Sequence, residues 1–254
     1  MKKFIIIAIM FISLFGCKKK PSTIPGSLKP GSPEYIMNQG IFYLNEGNII
    51  LAERKLLTAI AKKPKLEGAL NALGLVYMYK REFEQAASYY KKLLALNPRF
   101  SDAYNSLGLI YTELNRYNLA KEYLLTAANS KGYRTPENAY VNLVMLELKH
   151  NKLESAKRYI DKAMDKNRNF APIYNLKGII ANKENKFNEA LANFKRALSL
   201  LTEEDANILV NMGQVYIKIG QKRKALDVLE KALTKTNSNL LKQNIRKLIE
   251  TLSK

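Results

Sequence analysis

The sequence predicts an all-α protein, a right-handed α-solenoid of six helix-turn-helix repeats followed by a C-terminal capping helix. The first observation is an alanine that recurs at spacings of 34, 34, 36, 34 and 35 residues: Ala52, Ala86, Ala120, Ala156, Ala190 and Ala225. The second is a large apolar residue four positions after each alanine: Leu56, Tyr90, Leu124, Ile160, Phe194 and Leu229. Such a period is typical of stacked helical units that bury their apolar faces against neighbouring units.

A small residue also recurs in the first half of each unit: Gly40, Gly74, Gly108, Gly178 and Gly213, with Val144 instead in the fourth unit. Small residues let two helices approach closely, and the large apolar residues fill the space between them. The segment 73–98 reads L-G-x2-Y…A-x3-Y…P, which is the tetratricopeptide repeat (TPR) signature. Six TPR repeats are therefore predicted at residues 33–66, 67–100, 101–134, 137–170, 171–204 and 206–239.

Residues 1–16 are predicted to be a lipoprotein signal peptide. Two lysines precede an apolar run at residues 4–15, which is shorter than the roughly 20 residues that span a bilayer. Leu14-Phe15-Gly16-Cys17 then resembles a lipobox, the cleavage and lipidation site of bacterial lipoproteins. Cys17, the only cysteine, is expected to begin the mature chain and to carry the lipid. The alternative is an ordinary signal peptide with an incidental cysteine.

Residues 17–32 are predicted to form the lipidated N-terminus and a flexible linker. Four prolines, two glycines and three serines fall within residues 18–33, a composition that cannot bury a core. Fully extended, this linker reaches at most about 50 Å. Lys18, Lys19 and Lys20 would lie beside the acyl chain, where each lysine adds about 1 kcal/mol of attraction to an anionic leaflet.

The composition argues against nucleic-acid binding and against catalysis. The net charge is +20, but lysine outnumbers arginine about three to one and the lysines are spread over every repeat. Recognition of bases and phosphates favours the planar arginine side chain, so a solvated helix surface is the main interpretation and membrane proximity the second. His150 is the only histidine, no phosphate-binding loop is present, and no metal or cofactor is expected.

Two further segments complete the array. Residues 240–254 carry apolar side chains along one helical face and are predicted to cap the last repeat. The period lengthens by two residues at 131–137, where Thr135 can cap the next helix and Pro136 suits its first turn. On physical grounds alone, this lengthening is a loop insertion between the third and fourth repeats.

The chain resembles the type IV pilus pilotins, the PilF/PilW family, in its lipobox, its six repeats and its mid-array connection. Tyr133-Arg134-Thr135-Pro136 and Asn142 are similar to the connection of that family, and residues 98–105 are similar to the start of its third repeat. The resemblance implies a non-enzymatic lipoprotein on the periplasmic face of the outer membrane that promotes secretin assembly. Lys18, instead of the aspartate that retains lipoproteins at the inner membrane, agrees with that location. The alternative is a generic periplasmic TPR lipoprotein that scaffolds cell-wall or export complexes.

A partner-binding groove is predicted along the first helices, which line the concave surface in TPR proteins. Its candidate residues are apolar or asparagine and were assigned by helical register: Met37, Ile41, Leu44, Asn71, Leu75, Met78, Asn105, Leu109, Val141, Met145, Leu148, Asn175, Ile179, Val210 and Ile217. An exposed apolar strip interleaved with amides suits a protein segment whose backbone the amides can bind. The alternative is that several of these residues only pack neighbouring first helices together.

Overall fold

The computed structural model describes residues 28–253, which contain thirteen α-helices and no strand. The helices are α1 (Pro33–Asn45), α2 (Ile49–Lys62), α3 (Glu67–Tyr79), α4 (Phe83–Leu96), α5 (Ser101–Glu113), α6 (Tyr117–Asn129), α7 (Pro136–Lys149), α8 (Leu153–Lys166), α9 (Ala171–Lys183), α10 (Phe187–Ser199), α11 (Ala206–Lys218), α12 (Lys222–Lys235) and α13 (Asn239–Ser253). The predicted all-α helical repeat fold is confirmed. The predicted signal peptide, Cys17 and most of the linker lie outside the described residues and stay predictions.

The turn inside each helix pair contains one residue in the left-handed region. These residues keep the spacing of the repeated alanines and are Gly47 (φ 75°), Arg81 (61°), Asn115 (56°), Asn151 (56°), Asn185 (60°) and Gly220 (72°). Glycine and asparagine adopt this conformation with little strain, whereas an arginine does so at a cost. The left-handed residues of these turns therefore recur along the chain at the same spacing as the buried alanines of the core.

The repeated glycines lie where the two helices of a pair come closest. A Cβ atom at Gly108 would lie 2.4 Å from Cγ of Leu124, and one at Gly178 would lie 2.5 Å from Cε1 of Phe194. Leu124 and Phe194 are fully buried. In the fourth repeat the corresponding residues, Val144 and Ile160, are also buried. The helix pairs that carry the repeated glycine are thus packed around one large side chain, which occupies the space in front of that glycine.

The described chain divides into two compact units, residues 28–146 and residues 147–253. The first unit holds α1 to α6 and most of α7, and the second holds the end of α7 and α8 to α13. In the second unit, Ile245 of α13 is fully buried and clusters with Leu209 of α11 and Leu229 of α12. The last helix therefore covers the apolar face of the pair before it.

Within residues 28–253, no helix is both long and apolar enough to span a bilayer. The same range contains no group of histidine, cysteine and acidic side chains arranged to hold a metal ion.

Candidate partner-binding site

The first helices supply a partly accessible set of apolar side chains in each unit. In residues 28–146, the half-buried members of the predicted groove are Met37, Ile41, Asn71, Leu75, Leu109 and Met145. In residues 147–253, they are Ile179 and Ile217. Their helical spacing places Met37 and Ile41, and likewise Asn71 and Leu75, on one face of α1 and of α3. A binding role for these eight residues stays a prediction.

Seven predicted groove residues are buried, so the expectation that they are exposed is wrong. They are Leu44, Met78, Asn105, Val141, Leu148, Asn175 and Val210. For Asn105 and Asn175 the physical reason is that each amide meets an asparagine of the next first helix in the same unit. A side chain that is buried inside the array cannot meet a partner unless the helices around it move.

Buried asparagines join consecutive first helices within each unit. Nδ2 of Asn142 donates a hydrogen bond to Oδ1 of Asn105 over 2.9 Å, and Nδ2 of Asn211 donates one to Oδ1 of Asn175 over 3.1 Å. Asn105, Asn142 and Asn175 are buried and Asn211 is half-buried. A buried amide without a partner is costly, so the two amides of each pair bind each other across neighbouring repeats. They are not available to bind the backbone of a partner.

Replacing Asn142 with alanine is expected to lower the free energy of unfolding by about 1–3 kcal/mol, because the buried Oδ1 of Asn105 loses its donor. Replacing both residues with leucine is expected to recover most of that loss, since no polar atom then remains unpaired. Urea unfolding followed by circular dichroism measures both effects. Asn71→Leu is the matched control, because Asn71 has the register of Asn105 but is only half-buried. If Asn71→Leu lowered the free energy of unfolding as much as Asn142→Ala does, the loss could not be assigned to the hydrogen bond between Asn142 and Asn105.

The amides of Asn38 and Asn71 differ from those four. No hydrogen bond among the described residues involves either side chain, and both are half-buried on α1 and α3. Beside them, Met37 lies over the start of α3, where a Cβ atom at Gly68 would be 2.7 Å from its Sδ atom. The first two repeats therefore offer apolar side chains together with two accessible amides, which is the combination expected of a surface that binds a peptide segment.

Two tyrosine pairs at equivalent positions were missed by the sequence analysis. The rings of Tyr77 and Tyr89 stack with centroids 5.3 Å apart, and those of Tyr111 and Tyr123 stack at 5.4 Å. Burial raises the pKa of Tyr77 well above its usual range, and the nearby Glu53 carboxylate raises it further. The signal was present in the sequence, because both members of the second pair lie 34 residues after those of the first. These pairs add an aromatic contact between the two helices of the second repeat and of the third repeat.

Tyr133 lies in the mid-array connection, close to the start of α5. Burial raises the pKa of Tyr133 to about 12, and the nearby carboxylate of Asp102 at the start of α5 raises it further. The helix that follows begins at Pro136. The connection between the third and fourth repeats therefore lies beside the third repeat at Tyr133.

Two family models match the chain. The model described as "Tetratricopeptide repeat" matches residues 71–134, and the model described as "Tetratricopeptide repeat protein 21 C-terminal ARM domain" matches residues 129–249. Both matches lie within the helical array.

One curated relative is the type IV pilus assembly protein PilF of Pseudomonas aeruginosa. It is 29% identical over 168 residues, which cover 65% of this chain and 66% of PilF. The match thus spans just under two thirds of that relative's length.

Three solved structures share the fold. The structure of P. aeruginosa PilF aligns with a TM-score of 0.66 at 23% identity, covering 85% of this chain and 96% of that chain. The crystal structure of PilW, described as a widely conserved type IV pilus biogenesis factor, aligns with a TM-score of 0.70 at 18% identity, covering 84% and 97%. A tetratricopeptide repeat protein from Parabacteroides merdae aligns with a TM-score of 0.73 at 20% identity, covering 87% and 84%. At these identities the structures show a common fold.

Proposed function

The chain is a tetratricopeptide-repeat protein with sequence homology to PilF and with the fold shared by PilF and PilW, and from this premise we propose that it is a pilotin. In this role it binds secretin subunits, brings them to the outer membrane and promotes their assembly into the ring through which a type IV pilus leaves the cell. The observation that carries the proposal is the sequence relation to PilF over 168 residues.

The accessible part of the first helices supports binding of a protein segment. Met37, Ile41, Leu75 and Leu109 offer apolar contacts on α1, α3 and α5, and the amide of Asn71 lies among them. Apolar contacts supply affinity for an amphipathic segment, while an accessible amide can bind its backbone. No catalytic step is assigned to these side chains, because the role is that of an assembly factor and not of an enzyme.

The proposed location is the periplasmic face of the outer membrane, with an acyl chain on Cys17 as anchor. The lipobox-like residues 14–17 and the linker that follows support this part of the proposal. The three lysines at positions 18–20 add attraction to an anionic leaflet beside this anchor.

The experiment that tests this function measures the heat-resistant, high-mass secretin band in outer-membrane fractions with and without the gene. Deletion is expected to abolish the band, because unassembled secretin subunits remain monomeric, and the wild-type gene is expected to restore it. Complementation with Cys17→Ser is expected to leave the protein folded but absent from the outer-membrane fraction. An unchanged band in the deletion strain would contradict the pilotin role.

The second candidate is a periplasmic scaffold for cell-wall or export complexes. It is favoured by one observation, that the fold aligns as well with a TPR protein from Parabacteroides merdae as with PilF or PilW. If the secretin band does not change, crosslinking in cells from positions 41 and 75 would identify the partners of such a scaffold.

A further inference from the structure

An apolar stripe runs along the exposed face of α2. It consists of Ile50, Arg54, Leu57 and Ala61, which are spaced by four, three and four residues and so lie on one side of the helix. All four side chains are exposed. Ile50 is 81% exposed, more than any other large apolar side chain among the described residues, and Leu57 is 37% exposed. We call these four residues the α2 stripe.

The apolar character of the α2 stripe is not explained by packing within the solenoid. The position of Ile50 is exposed and polar in the five later repeats, where it is occupied by Glu84, Asn118, Glu154, Asn188 and Arg223. At the position of Leu57, the later repeats carry Lys91, Leu125, Asp161, Lys195 and Glu230, and the only leucine among them is half-buried. An isoleucine and a leucine exposed on one helix face, at positions that are mostly polar in the later repeats, are compatible with a contact outside the solenoid.

The surroundings of the α2 stripe are cationic. Residues 49–65 contain five lysines and arginines and a single carboxylate, that of Glu53. Glu53 is paired with Lys80 over 3.1 Å, and Lys63 is paired with Glu34 of α1 over 2.7 Å. The other cations of this segment have no carboxylate partner among the ion pairs of the described residues, and they are Arg54, Lys55, Lys62 and Lys65. An apolar helix face that carries an arginine and is flanked by lysines matches the boundary of an anionic bilayer, where apolar groups enter the acyl region and cations reach the phosphates.

The position of the stripe in the chain favours a membrane over a protein partner. It lies in the first repeat, directly after the linker of residues 17–32 and the three lysines at 18–20. If residue 17 is held at a membrane, α1 starts within about 50 Å of that surface. Such tethering raises the local concentration of lipid headgroups around α2.

We propose that the α2 stripe docks on a membrane surface that contains anionic phospholipid. Ile50 and Leu57 enter the boundary between headgroups and acyl chains, and the guanidinium of Arg54 binds a phosphate between them. The inference rests on the proposed lipid anchor only for local concentration, since the contact itself needs no acyl chain.

The test uses the chain from Lys18 to Lys254, which retains every described residue and lacks both the apolar run and Cys17. Its sedimentation is measured with vesicles of phosphatidylethanolamine and phosphatidylglycerol, and with vesicles of phosphatidylcholine alone. The wild-type chain is expected to bind the anionic vesicles. Ile50→Ser with Leu57→Ser is expected to weaken that binding about tenfold or more, because two apolar side chains no longer leave water. Arg54→Gln is expected to reduce the preference for anionic vesicles about fivefold.

The matched control is Leu119→Ser on α6, because Leu119 is 38% exposed and lies outside the stripe. It is expected to bind vesicles as the wild type does, and thermal unfolding shows that each variant is folded. Equal binding by the stripe variant and the wild type, or no binding by the wild type, would overturn the inference. So would a stripe variant that binds vesicles normally but loses the secretin band in cells, since α2 would then contact a protein. The band in the deletion strain tests the pilotin role separately.

Discussion

Replacing Phe194 with alanine is expected to lower the free energy of unfolding by about 3–5 kcal/mol. Phe194 is fully buried in the core of the fifth repeat, where it clusters with Ile208, Met212 and Tyr216. Its ring also occupies the space in front of Gly178, which has no side chain of its own to fill the cavity. The loss therefore includes both the transfer of the ring to water and an unfilled void. Urea unfolding, followed by circular dichroism, measures the difference.

Phe42→Ala is the matched control, because Phe42 is 38% exposed on α1 and gives up less buried area than the fully buried Phe194. Its expected loss of unfolding free energy is therefore clearly smaller than that of Phe194→Ala. Similar losses for the two phenylalanines would mean that the contact between α9 and α10 does not depend on a ring held against a glycine.

Replacing Gly108 with valine is expected to cost about 1–3 kcal/mol through overpacking. A Cβ atom at this position would lie 2.4 Å from Cγ and 2.5 Å from Cδ2 of Leu124, and 3.2 Å from its backbone nitrogen. Cγ is not the free end of a flexible side chain, so α5 and α6 must separate to admit the valine. The same urea unfolding experiment measures this loss.

The test of that mechanism is a double-mutant cycle with Leu124→Ala. Leu124→Ala alone is expected to destabilise by about 2–5 kcal/mol. In the double variant, the valine methyl groups occupy part of the space vacated by Leu124, so the combined loss is expected to be smaller than the sum of the two single losses. Additive losses would show that Gly108 and Leu124 do not share one space. The fourth repeat offers a natural comparison, since Val144 is buried at the position of Gly108.

The helical repeat fold was predictable from the sequence because its cause is local and periodic. Ala86 and Tyr90 are one turn apart, and the same pair of residue types returns in each repeat. Small residues recurring at this spacing require close helix pairs, and a helix pair that cannot bury its apolar face alone must stack on the next. Both inferences, that the helices pair closely and that the pairs stack, can be made without knowing any contact between residues far apart in the sequence.

The candidate site was only partly predictable from the sequence, because the exposure of its residues depends on packing between helices and not on a local pattern. Met37 and Leu44 share an α1 face, and the periodic pattern does not distinguish a groove residue from one between two helices. Exposure depends on how neighbouring first helices approach each other, and this distance is a property of the packed array. Leu44 is accordingly buried while Met37 is half-buried.

The all-α array of TPR repeats follows from the sequence alone, because periodicity reports which residues must leave water together. The folded structure adds that Asn105 and Asn142 bind each other, whereas Asn71 keeps an accessible amide. It also shows that Ile50 remains in water. The physical reason is that burial and hydrogen bonding depend on distances between side chains on different helices, and packing sets those distances.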